Sequence, residues 1–143
     1  MRAVVQRVSR AEVRVDGRAV GSIERGVVVL LGVAEEDGDG DARALAQKIA
    51  KLRIFPSDRR PIDRSLLDVE GGALVVSQFT LCADTRKGNR PSFIEAAGPE
   101  EAERLYGLFC TELRGLGVPV AAGVFGAMMD VELTNDGPVT IVL

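Results

Sequence analysis

Histidine is missing from this sequence altogether. That absence removes Ser-His and Cys-His nucleophile pairs, imidazole metal sites and the commonest general base in one stroke. Any acid–base chemistry must come from carboxylates, from the main chain or from a substrate. Tryptophan is also absent and tyrosine occurs once, so aromatic stacking on long single strands is poorly supplied. The only two cysteines, Cys82 and Cys110, make neither a disulfide framework nor a zinc pattern and read as buried, reduced thiols. The longest apolar run, Val27 to Ala34, is far too short to cross a bilayer. Met1-Arg2 leads directly into strand-like sequence with no signal-peptide core, which implies a cytoplasmic location and no membrane partner. Net charge is −3, with a pI near 5.1. Extensive tracking of phosphates is therefore not expected, and DNA is not an expected partner, although a local basic patch can still meet one RNA end.

What is present is ordinary globular material. With 143 residues, 46% apolar and 27% charged, the chain 1–143 reads as a single domain. Arg2 to Val15 is valine-rich and alternating. Asp16-Gly17 is a strong hairpin signal with Arg18 to Glu24 as the return strand. Val27 to Leu31 is unbroken apolar sequence, as in a central strand covered on both faces. The acidic stretch Glu35 to Asp41 invites a calcium reading, but an EF-hand register from Asp37 places Ala42 at the glycine position and Lys48 at the glutamate position. A loop ending in an Asp N-cap explains it better. Ala42, Leu45, Ala46, Ile49 and Leu52 then form one helical stripe. Gly98-Pro99 opens a second helix whose stripe is Leu105, Leu108, Phe109 and Leu116, closed by Gly117. Ala73 to Leu81 reads as a strand, and Val118–Phe125, Met128–Leu133 and Val139–Leu143 as three closing strands. The sum predicts an α+β domain of about six or seven mostly antiparallel strands with two main helices, the sheet barrel-like or a sandwich.

Three segments carry candidate chemistry. Ser77-Gln78-Phe79-Thr80 embeds polar groups in an apolar strand, either as residues bonded to neighbouring backbone or as the lining of a pocket. A hydroxyl without a histidine partner is a weak nucleophile, so Ser77 and Thr80 are better suited to positioning than to attack. The loop Thr85 to Arg90 holds Arg86, Lys87 and Arg90, either simply solvated or available to the phosphates of an RNA terminus. Asn135-Asp136-Gly137-Pro138 reads by itself as a tight turn between closing strands.

Taken together, Val4-Val5-Gln6-Arg7-Val8, Leu74 to Leu81, Ala83 to Phe93 and Asn135-Asp136-Gly137-Pro138-Val139-Thr140 resemble, in order, the D-aminoacyl-tRNA deacylase family (D-tyrosyl-tRNA deacylases). The resemblance implies a cofactor-free, metal-free homodimer that hydrolyses the ester of D-aminoacyl-tRNA, and of glycyl-tRNA mischarged on tRNA-Ala, in translational proofreading. It implies that Ser77, Gln78, Phe79 and Thr80 surround the scissile ester, with the N–H groups of Phe79 and Thr80 stabilising an oxyanion and the terminal 2′-hydroxyl assisting water. Thr80 as covalent nucleophile is the alternative within the family. It further implies a cis Gly137-Pro138 peptide, supplied across the dimer as chiral selector, with Arg7 and Asn135 in support and Arg86, Lys87 and Arg90 as RNA contacts. Pro56 to Asp63 departs from the family's Gly-Lys-Met-Asn-like stretch, which leaves the role of that loop open. The rival readings are a non-catalytic tRNA-binding module and a small-molecule hydrolase or deaminase.

Overall fold

The computed structural model describes residues 1–143. Its strands are β1 (Arg2–Val15), β2 (Arg18–Ile23), β3 (Gly26–Gly32), β4 (Gly72–Ser77), β5 (Val120–Ala122) and β6 (Asp130–Val142), with helices α1 (Asp39–Lys51) and α2 (Pro99–Gly115). The strand order is β2-β1-β3-β4-β5, with β6 paired to the other edge of β1. β1 runs antiparallel to β2, β3 and β6, whereas β3–β4 and β4–β5 are parallel, because α1 and α2 provide the crossovers that parallel neighbours require. Six strands, two helices and mostly antiparallel pairing match the expectation. The sheet curls nearly closed: a Cβ on Gly21 of β2 would lie 2.8 Å from the Ala122 carbonyl oxygen of β5, so the two ends of the path almost meet.

Curling divides the apolar residues into two clusters. Val8, Ala11, Val13, Val28, Leu74 and Val76 fill the inside of the curl, with Met129, Val131 and Leu133 packed on them. Ala3, Val5, Val27, Val29, Leu31, Ala73 and Val75 face outwards under the two helices. β3 thus contributes to both clusters, as its unbroken apolar run requires. The Asp16-Gly17 turn has φ of 50° and 75°, the left-handed pair that a two-residue hairpin demands. At Gly26 a Cβ would fall 1.9 Å from the Gly72 carbonyl oxygen, so β3 and β4 start at a spacing only glycine permits.

The helices follow their stripes with small corrections. In α1 the buried residues are Ala42, Ala46, Ile49 and Ala50, while Leu45 and Leu52 sit at the cluster's edge. Its N-cap is Gly38, not an aspartate; Asp41, inside the first turn, accepts the Gly38 N–H at 2.9 Å. Asp37 lies just outside the helix, where it pairs with the Met1 ammonium and accepts the Ala34 N–H at 2.6 Å. In α2, Pro99 occupies the first turn, and Ala102, Leu105, Tyr106, Phe109, Cys110 and Leu113 are buried; Leu108 and Leu116 are only half-buried. The Tyr106 hydroxyl donates to the Val75 carbonyl at 2.8 Å, tying α2 to β4. Both cysteines are free and buried, and burial pushes the Cys110 thiol up to about 11. No helix is long and apolar enough to cross a membrane.

Two expectations fail in instructive ways. The strand expected over Ala73–Leu81 ends at Ser77, and Phe79–Cys82 forms a 3₁₀ turn. The Gln78 N–H still reaches the Leu31 carbonyl at 2.8 Å, but the Gln78 carbonyl then accepts the Leu81 N–H and the chain leaves the sheet. Strand alternation therefore does not govern Phe79 or Thr80. In addition, the last two expected strands are one: β6 pairs with β1 from Asp130 to Val142. Asn135–Pro138 is not a turn between strands but an outward bulge within this one. Asn135 pairs with Val8 and Thr140 with Gln6, so Arg7 alone faces the intervening residues 136–139.

Candidate active site at the end of β4

A cleft of about 580 Å³ opens where β4 gives way to the 3₁₀ turn. Ser77, Gln78 and Phe79 form one wall; Ala96, Ala97, Pro99 and Ala102 line the start of α2; Phe125, Met128, Met129 and Val131 approach from the segment leading into β6. The size suits a small-molecule moiety, and the lining is mainly apolar. None of its lining residues titrates, so the polar chemistry available there is that of hydroxyl, amide and main chain.

Main-chain donors are available for a simple reason. The first hydrogen bond of the 3₁₀ turn runs from Leu81 N–H to Gln78 O, which leaves Phe79 N–H and Thr80 N–H without acceptors inside the turn. Phe79 is 55% exposed at the mouth, its ring held edge-on by Phe93 with centroids 5.0 Å apart. The Gln78 side-chain amide donates to the Thr80 hydroxyl oxygen, so that hydroxyl is engaged with an amide rather than with a base. Of the four residues singled out in sequence, Ser77, Gln78 and Phe79 line the cleft, and Thr80 stands on the exposed side of the turn.

The basic loop follows at once. Asp84 and Ser92 exchange backbone hydrogen bonds that close it. Arg86 folds back on Asp84 through two side-chain contacts of 2.9 and 2.7 Å, and the guanidinium holds the Asp84 carboxyl down at about 2. Lys87 and Arg90 are exposed and make no ion pair.

Gly137 and Pro138 are elsewhere. The peptide between them is cis, and both residues are exposed. Beneath them Arg7, only 7% exposed, works as a brace. Its Nε donates to the Asp136 carbonyl at 2.8 Å, and its Nη1 to the Ile54 carbonyl at 2.7 Å and the Pro61 carbonyl at 3.4 Å. Asn135 Oδ1 accepts the Val139 N–H at 2.8 Å and Asn135 Nδ2 donates to Thr140 Oγ1 at 3.0 Å, closing the bulge from inside. Gly137 has φ +141°, and a Cβ there would meet Val139 Cγ2 at 2.9 Å, Val139 N at 3.0 Å and Arg7 Nη2 at 3.1 Å. The chain thus keeps its two motifs apart. Val131 is the last residue of β6 to line the cleft, and Gly137 lies six positions further on (137 − 131), roughly 20 Å of strand at about 3.3 Å per residue. Sequence reasoning missed the apolar half of the cleft, Ala96, Ala97, Phe125, Met128 and Met129, because nothing local distinguishes small and apolar loop residues from core.

Fold and site together define a small α+β barrel-like domain that offers main-chain groups at an apolar cleft and at a separate braced bulge. The chain belongs to the D-Tyr-tRNA(Tyr) deacylase family, whose model matches residues 4–143. A Roseiflexus castenholzii protein named D-aminoacyl-tRNA deacylase is 60% identical over 143 residues, covering 100% of this chain and 91% of that one. A Deinococcus radiodurans protein of the same name is 57% identical, covering 100% and 99%. Among solved structures, a c-Myc DNA unwinding element binding protein superposes with a TM-score of 0.94 at 43% identity, covering 100% of this chain and 97% of that one. A probable eukaryotic D-amino acid tRNA deacylase, at 21% identity and a TM-score of 0.86 over 99% of this chain and 97% of its own, shows the shared fold.

Proposed function

We propose that this protein is a homodimeric D-aminoacyl-tRNA deacylase that cleaves the ester between a D-amino acid and the terminal ribose of tRNA. Family membership across residues 4–143 is the observation that carries the activity. Ser77, Gln78 and Phe79 then flank the ester, Thr80 follows at the rim of the turn, and the unpaired N–H groups of Phe79 and Thr80 receive the developing oxyanion. Water attacks with help from the substrate's neighbouring 2′-hydroxyl, in keeping with a cleft that has no titratable lining residue. The bond broken is the acyl C–O bond; water's oxygen joins the acyl carbon and its proton ends on the released ribose hydroxyl.

Gly137 and Pro138 are proposed to select chirality in the partner's cleft. Their exposure, their support by Arg7 and Asn135, and the strand length separating them from their own cleft all favour a role in trans. Rigid main chain that leaves no room for an L side chain works by exclusion. Discrimination of about 10⁴ needs roughly 5.5 kcal/mol, beyond the 1–3 kcal/mol that a soft apolar pocket supplies for one misplaced methylene. Glycine has no side chain to clash, so glycyl-tRNA passes the same filter. A DNA-directed role, suggested by the name of one structural relative, is disfavoured by a net charge of −3.

The deciding experiment is deacylation of matched D- and L-tyrosyl-tRNA by the purified protein. Rapid release from the D ester with the L ester untouched is expected. Equal rates, or no hydrolysis of either, defeats the assignment.

A further inference from the structure

The loop between Phe55 and Arg64 has no part in the site as described, yet it is joined to it through one side chain. Arg7 Nη1 donates to the Ile54 and Pro61 carbonyls while its Nε donates to the Asp136 carbonyl. The loop and the Gly137–Pro138 bulge therefore lie side by side, within hydrogen-bonding reach of a single guanidinium. The loop is also built. Ser57 N–H donates to the Arg60 carbonyl at 2.8 Å, Ser57 Oγ accepts the N–H groups of Arg59 and Arg60 at 3.2 Å each, and the Phe55–Arg64 bridge closes its base.

This turn holds Arg59 and Arg60 outwards. Both are exposed and neither comes within ion-pairing distance of a carboxylate, although Arg60 is near enough to Asp63 to help hold its carboxyl below the ordinary range; Arg53, Arg86 and Arg104 by contrast contact carboxylates directly. Two adjacent free guanidiniums on an otherwise acidic protein are suited to phosphates.

We propose that Arg59 and Arg60 bind backbone phosphates of the tRNA 3′ strand whose aminoacyl end occupies the partner subunit's cleft. The proposal rests on the reading that the Gly137–Pro138 bulge enters that cleft. When it does, the neighbouring loop arrives at the cleft's mouth, opposite the basic loop of the subunit that owns the cleft. The single-stranded 3′ end then passes between Lys87 and Arg90 of one subunit and Arg59 and Arg60 of the other.

The first test compares wild type with Arg59→Ala/Arg60→Ala on D-tyrosyl-tRNA and on 3′-D-tyrosyl-adenosine, which lacks the flanking phosphates. Expected for the tRNA is a KM raised roughly tenfold at unchanged kcat. The slope of log affinity against log salt should shrink by about 1.4, two contacts at about 0.7 each for a single strand. The adenosine ester should be cleaved as by wild type. Unchanged KM and salt slope, or an equal loss on both substrates, overturns the proposal.

Mixed dimers test the geometry. Ala96→Trp fills one cleft, leaving a single open one. Paired with an Arg59→Ala/Arg60→Ala subunit, it should give wild-type KM, because the open cleft faces intact arginines. Placing all three substitutions in one subunit beside a wild-type subunit should raise KM. The reverse pattern overturns the proposal. Gly137→Ala, tested in the same pairings, separates this failure from that of the underlying reading. If its defect travels with its own subunit's cleft, or if the protein stays monomeric, the dimer reading fails and takes the proposal with it. If the Gly137 defect acts across the dimer and the arginine defect does not, only the proposal fails.

Discussion

Replacing Gly137 by alanine tests the bulge at its tightest point. Its φ of +141° lies where L side chains are rarely found, and such backbone costs about 1–3 kcal/mol per residue. Space is also lacking. The new Cβ would sit 3.0 Å from Val139 N and 3.1 Å from Arg7 Nη2. Val139 N is main chain, fixed by its bond to Asn135, and Arg7 is fixed by three carbonyls, so neither yields cheaply. Relief comes from moving the bulge outwards by something near a methyl radius. At about 2–4 °C per kcal/mol for a domain of this size, the melting temperature should fall by roughly 2–12 °C with the fold retained.

The functional loss should exceed the thermal one. A displacement on the order of 1 Å in a positioning group costs about 100-fold in rate. The assay is kcat/KM on D- and L-tyrosyl-tRNA well below the melting temperature, with circular dichroism as the folding control. The expected result is a D-rate about 100-fold down and a narrowed D/L ratio. An alanine variant with the wild-type rate and ratio would refute the assignment of this bulge to chiral selection.

Three further outcomes follow from the same structure. Thr80→Ala should keep kcat within about tenfold of wild type, since its hydroxyl accepts from Gln78 and has no base; complete loss in a folded, tRNA-binding variant would restore the covalent-nucleophile alternative. Arg7→Lys keeps the charge but cannot span the Asp136, Ile54 and Pro61 carbonyls, each charge-assisted bond being worth about 1.5–3 kcal/mol. It should lower kcat/KM on D-tyrosyl-tRNA while the secondary structure seen by circular dichroism survives, and a fully active variant contradicts the brace. Cys110 should resist iodoacetamide at pH 8 in the folded protein. Its folded value of about 11 lies above that of an unfolded thiol, near 8.5, so its contribution to stability is complete below about pH 8.5 and is lost as pH rises through about 11. A denaturation series across that window checks the sign.

What could be read from the sequence was whatever leaves a local trace. β1, the Asp16-Gly17 hairpin, β3 and both helices are written in alternation, turn chemistry and three-four spacing, and each sits within about two residues of its expected bounds except the start of α1, which lies three residues earlier, at Asp39. The 3₁₀ turn at Phe79–Cys82 was not legible, because Leu81 and Cys82 are as apolar as a strand requires; what ends β4 is the Gln78–Leu81 hydrogen bond. The continuity of β6 was hidden for the opposite reason. Asn, Asp, Gly and Pro in succession are turn residues, and here they make a bulge while both flanking segments stay paired to β1. Ser77, Gln78 and Thr80 were recognisable as polar intrusions in an apolar strand, and of these Ser77 and Gln78 line the cleft. The residues that complete the cleft come from three other regions, Val33, Ala96 to Ala102 and Phe125 to Val131, and left no such mark.

β1 explains why a chain without histidine can keep two distant main-chain devices in register. Its residues Arg2 to Val8 pair with β3, which pairs with β4, whose end carries the cleft. Its opposite edge pairs with β6 on both sides of the bulge. Arg7 lies between these two sets of bonds, flanked by the fully buried Val5 and Val8, with its guanidinium on the bulge and the 54–61 loop. Cleft and bulge are thus both fixed to one strand through backbone hydrogen bonds, whose geometry does not depend on a protonation state near neutral pH. A two-fold axis that sets one subunit's bulge against the other's cleft would then convert the rigidity of a single sheet into the fit of a composite site. On that arrangement a change within β1 reaches both halves, whereas a change in the 3₁₀ turn or in the bulge alters one half alone. Double substitutions at Arg7 and Gly137 should accordingly be strongly non-additive, and pairs such as Arg7 with an exposed residue of α2 should not.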